Sequence, residues 1–264
     1  MRPEDAAMQQ HRKLRLAFFD FTCCEGCQLV FLSQEDALLE LASHVDIVNF
    51  REASSRREDE YDVAFIEGSI STQDDIARVR DIRQRACTLI AFGACATTGG
   101  VNKLKNRRPM EEHLRAVCGE MEHYPNTIPA MAVHEVVTCD YLLHGCPIDP
   151  RELRRLFLCL VTGRTFRQQN VPVCFECRLR ENVCLYHKQI PCLGPVTRAG
   201  CGAICPRFGR GCYGCFGPKE SPNTVYLRRV WEQNGVAPDE VSRAFLGFNA
   251  WAEPFRAEGE GRGA

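Results

Sequence analysis

At 264 residues, with 45% apolar and 25% charged content, the chain is long enough to bury a real core in one generous domain or two smaller ones. Its 33 basic and 34 acidic residues leave a formal charge of −1, which argues against a nucleic-acid partner. Seventeen cysteines, an odd number falling in close-spaced groups, read as metal ligation in a reducing compartment and not as a disulfide framework.

Residues 1–13 are polar and charged and are expected to form a tail, with no secretory or twin-arginine signal in residues 1–15. An apolar run over 14–21 predicts a buried strand, and helical spacing of leucines and Phe31 predicts a helix over 28–43. Strands are predicted at 45–50, 62–66 and 87–92, with a helix at 73–85 between the last two. Residues 102–129 are irregular, and Lys103, Lys105, Arg107 and Arg108 there read as a solvated basic face. After 130–143 the prolines of Gly145-Cys146-Pro147-Ile148-Asp149-Pro150 end a strand and open a helix over 151–162. Strands alternating with helices predict an α/β fold with a doubly wound parallel sheet, whose ligands bind beyond the carboxyl ends of the strands. Nothing offers ~18 uninterrupted apolar residues, so no membrane span is expected.

The chain is organised around Asp20-Phe21-Thr22-Cys23-Cys24-Glu25-Gly26-Cys27-Gln28, a strand-to-helix turn carrying a Cys-x-x-Cys pair, Cys24 and Cys27. Cys95 in Gly93-Ala94-Cys95-Ala96 and Cys146 in Gly145-Cys146-Pro147 sit in similar settings. Three loops therefore supply four thiolates, the count for a cubane iron–sulfur cluster or a four-coordinate zinc. Cys23 is read as a neighbour of this site. Glu25 and Glu67 stand near it, able to relay protons or to accept backbone hydrogen bonds. Cys87, Cys118, Cys139 and Cys159 read as spare.

Residues 165–220 change character, with Gly and Pro crowded among eight cysteines: Cys174, Cys177, Cys184, Cys192, Cys201, Cys205, Cys212 and Cys215. A segment so poor in core formers needs something other than apolar burial to hold it, and metal is the candidate. Eight thiolates divide into two sets of four, which suits two [4Fe–4S] clusters in a small ferredoxin-like unit, although spacing does not say how they divide. His187 reads as a surface residue. Helical pattern returns over 224–234 and 238–248, and the Gly- and Glu-rich end reads as a disordered tail. The expected organisation is a tail (1–13), a doubly wound α/β domain (14–164), a cysteine-rich domain (165–220) and C-terminal helices with a tail (221–264).

Cys24-Glu25-Gly26-Cys27, Glu67-Gly68-Ser69-Ile70, Gly93-Ala94-Cys95-Ala96, Gly145-Cys146-Pro147 and the run from Cys192 through Cys201, Cys205-Pro206 and Cys212 to Cys215-Phe216-Gly217-Pro218 resemble one family. It is the electron-transferring small subunit of cytosolic [NiFe] hydrogenases of the sulfhydrogenase, F420-reducing and heterodisulfide-reductase-linked kinds. The resemblance spans roughly residues 14–220. It implies a flavodoxin-like domain over 14–164 with a proximal [4Fe–4S] cluster on Cys24, Cys27, Cys95 and Cys146, and two further [4Fe–4S] clusters on the eight later cysteines. It also implies no nickel in this chain, a nickel-bearing large subunit, and a flavin- or iron–sulfur-containing electron-transfer partner in the cytoplasm. A cluster-bearing subunit of an NADH:quinone oxidoreductase-like complex is the alternative, since that branch shares the fold and often has adjacent cysteines such as Cys23 and Cys24, but it lacks the eight-cysteine block. Two further competitors are a zinc-binding interaction module and a thiol–disulfide oxidoreductase on Cys24 and Cys27, which would leave that block unexplained.

Overall fold

The computed structural model describes residues 12–121 and 126–261, so the expected tail over residues 1–11 lies outside the described residues. The chain begins with strand β1 (Leu14–Asp20), and the helical stretch after it is two helices, α1 (Gly26–Leu32) and α2 (Glu35–Leu41), not one. The break falls at Ser33, whose N–H and hydroxyl turn back onto the Leu29 and Val30 carbonyls. Then follow β2 (Val45–Asn49), β3 (Val63–Glu67), α3 (Gln73–Arg85), β4 (Thr88–Phe92), α4 (Ala94–Thr98), α5 (Met110–Cys118), β5 (Tyr141–Leu143) and α6 (Pro150–Thr162). Local chemistry fixes α3. Its Thr72 hydroxyl accepts from the Asp75 N–H and the Asp75 carboxylate accepts from the Thr72 N–H, a reciprocal cap.

The five strands are all parallel, in the order β2-β1-β3-β4-β5. This is the flavodoxin-like order, and its switch point, where ligands bind in such sheets, lies between β1 and β3. Side chains alternate between the two faces. On one, Phe18 stacks between Phe50 and Phe65, with Phe31 of α1 and Phe157 of α6 closing the cluster. On the other, Ala17, Ala64, Ile66 and Leu89 meet Val79 and Ile82 of α3. Burying each such aromatic stabilises the sheet by about 2–3 kcal/mol.

Lys103 is not on a solvated face. It is 5% exposed, folded under Gly99 and ion-paired with Glu135 at 2.6 Å, while Lys105 bonds the Thr127 hydroxyl. Arg107 and Arg108 are exposed as expected.

The remaining helices are α7 (Val173–Leu179), α8 (Ile204–Arg207), α9 (Thr224–Gln233), α10 (Pro238–Phe245) and α11 (Glu253–Gly259). The end of the chain therefore carries a packed helix where a disordered tail was expected, with Phe255 and Glu258 fully buried. The cysteine-rich segment likewise has an apolar core. Val173, Leu193, Val196, Ala203 and Cys212 supply one part of it, and Leu227, Trp231, Val236, Val241, Phe245 and Phe255, from the last three helices and the turn between two of them, supply the rest. Local pattern does not show this core because its two parts lie in different segments. Among the described residues no helix is long and apolar enough to cross a membrane.

Glu258 ties the last helix down. Its carboxylate pairs with Arg228 Nε at 2.8 Å and accepts from the Thr224 hydroxyl. Glu258→Ala removes one of the two carboxylates on Arg228, leaving Glu232 at 2.9 Å, and strips the buried Thr224 hydroxyl of its acceptor, which should cost about 1–3 kcal/mol, read by chemical denaturation. Unchanged stability would mean that α11 is not part of this core.

Candidate metal centres

The loops after β1, β3, β4 and β5 gather at the carboxyl edge of the sheet, beside the switch point. An antiparallel bridge between Thr22 and Ser69 pins the β1 loop to the β3 loop. Glu25 in the left-handed region then starts α1, placing Cys24 before the helix and Cys27 within its first turn. Gly93 ends β4 at φ 86°, and a Cβ there would stand 2.5 Å from Cys27 Sγ, so only glycine lets this thiol reach the β4 loop. Cys24 is exposed, Cys27 is buried, and Cys23, Cys95 and Cys146 are intermediate.

Three of the four candidate thiols, Cys27, Cys95 and Cys146, are raised by burial first and by charged neighbours second. Burial pushes the Cys95 thiol up to about 12, and its neighbours Cys146, Cys24 and Glu67 push the same way. Burial likewise raises Cys146, beside Cys24 and Glu67, and Cys27, beside Glu67 and Cys146. Cys23 is also raised to about 12 by burial, with Glu67 and Cys95 nearby. The turn predicted from sequence thus brings Cys24, Cys27, Cys95 and Cys146 to one place, with Cys23 beside them.

Glu67 is the structural anchor here. At 2% exposure, it accepts from the Cys27 and Gln28 backbone N–H groups, each at 3.0 Å. Helix α1 has no side-chain cap of its own, so a carboxylate from the end of β3 satisfies the donors of its first turn. Of the two roles open from sequence, accepting backbone hydrogen bonds is the one observed. Burial pushes its carboxyl up against those two bonds. Glu25 instead pairs with Arg51 at 3.2 Å.

In the cysteine-rich segment, α7 carries Cys174 and Cys177. Burial pushes Cys174 up to about 12, with Cys192, Cys177 and Cys184 as its charged neighbours. A cavity of about 410 Å³ opens among Cys174, Cys184 and Cys192, roofed by Tyr226, Val230 and Trp231 of α9. Cys201, Cys205 and Cys215 form a second neighbourhood, in which burial raises Cys215 to about 12. Cys212 stands between the two, near Cys192 and Cys215, and its N–H donates to Cys192 Sγ at 3.2 Å. Cys215 also neighbours Cys146. The three groups therefore adjoin in succession, the first of them at the sheet edge.

Several residues that hold this line were not visible in the sequence. Phe216 is buried against both Gly145 and Gly200, where added Cβ atoms would approach its ring to 3.1 and 2.8 Å. Asn249 bonds the Thr98 hydroxyl of α4 and donates to the Gly214 carbonyl at 2.6 Å. Glu176 accepts from the Gly200 and Gly202 N–H groups, and Gln168 brackets the His144 backbone. No local pattern announces contacts across such sequence separations. Of the spare cysteines, Cys87 and Cys118 are exposed, Cys139 is half-buried and Cys159 packs on the sheet core; Cys87 precedes β4 and is not inside the strand. His187 is exposed, edge-on to Tyr186.

Thiolate donors in sets of four fit iron–sulfur clusters on residue type. Two N–H···S contacts, from Cys212 to Cys192 and from Asn182 to Cys177 at 3.6 Å, are of the kind that tunes a cluster. Beside Cys27 the fully buried Gln28 amide lies against the Glu67 carboxylate without a well-formed hydrogen bond among the described residues. No three candidate side chains among the described residues meet at the spacing of a single ion's ligands. A cluster does not ask for that spacing, because each thiolate binds a separate iron.

The family model described as NADH ubiquinone oxidoreductase, 20 kDa subunit, matches residues 24–160. Sulfhydrogenase 2 subunit delta of Pyrococcus furiosus is 37% identical over 241 residues, covering 90% of this chain and 100% of the relative. The chain belongs to this family, on its hydrogenase small-subunit side. An alignment covering nine-tenths of the chain extends through the cysteine-rich segment, which the family model does not reach. This hydrogenase subunit is also similar to a subunit of the vhu F420-non-reducing hydrogenase of Methanocaldococcus jannaschii, 32% identical over 74% of this chain and 78% of the relative. A structure of NAD+-reducing [NiFe]-hydrogenase in the H2-reduced state superposes with a TM-score of 0.54 at 27% identity, covering 60% of this chain and 96% of that one. The [NiFeSe] hydrogenase of Desulfovibrio vulgaris Hildenborough shares the fold, with a TM-score of 0.53 at 16% identity over 80% of this chain and 95% of that one. As a hydrogenase subunit the chain is a component of an oxidoreductase complex.

Glu67→Gln tests the anchor. An amide offers one acceptor where the carboxylate offers two and sets an N–H against the second donor, a loss of about 1–3 kcal/mol. Hydrogen exchange at the Cys27 and Gln28 amides should quicken while exchange in α3 stays unchanged. Equal exchange at both amides would remove Glu67 from its anchoring role.

Proposed function

We propose that this subunit relays electrons between the nickel–iron site of a large subunit and a redox partner through three [4Fe–4S] clusters, in the cytoplasm. Cys24, Cys27, Cys95 and Cys146 hold the proximal cluster, Cys201, Cys205, Cys212 and Cys215 the middle one, and Cys174, Cys177, Cys184 and Cys192 the outer one. The observation that carries this reading is the continuity of the thiols, with Cys215 beside Cys146 and Cys212 beside Cys192. Each cluster, when bound, supplies one-electron chemistry at a potential set by charge, burial and hydrogen bonds to sulfur.

The chain's own residues do the rest. Glu67 fixes the Cys27 turn, the Cys212 N–H reaches Cys192 Sγ, and Phe216 and Asn249 hold the middle loops against the sheet edge. The large subunit faces the proximal loops, where Cys24 is exposed, and a flavin- or iron–sulfur-containing subunit is the partner at the far end. The chain itself carries no nickel. The quinone-reductase alternative rests on the family model's description, and that match stops before the eight-cysteine block.

Anaerobic iron and acid-sulfide analysis of the co-purified complex, with EPR, tests the relay. About twelve irons per copy of this chain are expected. Cys215→Ser should weaken the middle signal alone, and Cys95→Ala should abolish H2-dependent dye reduction. A colourless chain holding zinc without sulfide would sink the proposal.

A further inference from the structure

Charge is unevenly distributed along this chain. Residues 165–220 hold eight Lys or Arg against three acids, a net +5, which leaves 25 against 31, a net −6, elsewhere. In the rest of the chain, arginines such as Arg15, Arg56 and Arg228 grip carboxylates. Among the described residues none of the eight cations of the cysteine-rich segment forms an ion pair. Of its three acids, Glu176 is spent inward on the Gly200 and Gly202 N–H groups. Two [4Fe–4S] clusters on eight thiolates would add about −2 each and leave the segment near +1 as a whole, so what steers an anionic partner is where the cations lie on its surface.

The excess coincides with exposed apolar side chains. On α7 and the loop after it, Arg178, Arg180 and Lys188 are exposed, with Glu181 as the only outward acid between them. Leu179 at 70%, Val183 at 66% and Tyr186 at 45% exposure lie among these cations. The same stretch contains Cys177 and Cys184, the latter exposed, and borders the cavity of the outer thiol set. Apolar side chains ringed by arginine and lysine match the anatomy of a protein interface, and the charge specifies its partner's sign.

The geometry points to the face over residues 175–188 as the docking surface for a redox protein whose own electron-exchanging surface is ringed by carboxylates. This rests on the relay reading above, because it assigns the partner at the outer end. Steering by opposite charge brings the two surfaces together, and Leu179, Val183 and Tyr186 then exclude water around the contact.

The test uses the purified complex of this subunit with its large subunit, freed of any further redox subunit, and an acidic ferredoxin as probe. With Arg178→Glu and Lys188→Glu together, H2-driven ferredoxin reduction should fall by about tenfold or more at low ionic strength, with its salt dependence flattened. Methyl viologen reduction and iron content should match the unsubstituted complex, and the charge-keeping pair Arg178→Lys and Lys188→Arg should retain the ferredoxin rate. A ferredoxin rate and salt profile equal to those of the unsubstituted complex overturn the proposal. Loss of the large subunit from the reversed variant also overturns it and assigns the face to that subunit. Absence of iron and of viologen reduction in the unsubstituted complex would instead remove the relay reading itself, and the docking surface with it.

Discussion

The position of the Phe216 ring governs how the two halves of this molecule meet. It lies where neither Gly145 nor Gly200 has a side chain, one in the loop after β5 and the other beside Cys201. A methyl group at either glycine would push the ring away, and the Cys212–Cys215 loop with it. Asn249 secures the same loop from the other side, bonding both α4 and the Gly214 carbonyl. Close packing at these points is what sets Cys215 next to Cys146. In the proposed relay, transfer depends steeply on separation, and a rigid apolar wedge would fix that separation better than a charged contact, whose long side chains retain freedom.

The proximal loops use the opposite strategy, polar and buried. A carboxylate at 2% exposure is costly unless its lone pairs are used, and Glu67 uses them on two adjacent backbone donors. The arrangement keeps α1 from fraying at the point where Cys27 leaves it. It also places one negative charge close to the candidate proximal thiols, where added electron density would be opposed. Fixed dipoles and charges in a water-poor site weigh far more than the same groups in solvent.

Much of this was legible in the residues. Continuous apolar runs marked β1, β3 and β4, and the helical spacing of Ile76 and Val79 marked α3, because both signals are local. The cysteine groups were legible for the same reason, since turns that bring up two ligands at once leave their spacing in the sequence. Their division in the cysteine-rich segment was not, because Cys212 adjoins both neighbourhoods and only the folded chain brings Cys192 beside it. The break at Ser33 was hidden because leucines continue at helical spacing on both sides of it. Lys103 looked solvated because its partner, Glu135, lies in another segment. The last helix looked disordered because its Gly and Glu content masks Phe255 and Glu258, whose burial depends on Phe245 and Arg228 in two other helices.

That last helix has a consequence for synthesis. The roof of the outer cavity comes from α9, and the core beneath it is completed by Phe255, some forty residues after Cys215. A chain emerging from the ribosome at about 5–20 residues per second has therefore released every cysteine before it can close the pocket around them. Until then the apolar side chains of Val173, Leu193 and Val196 lack the packing partners that the last three helices supply. The segment that carries eight cysteines therefore gains its full apolar support only after α11 has been made, and its fold depends on residues that follow it.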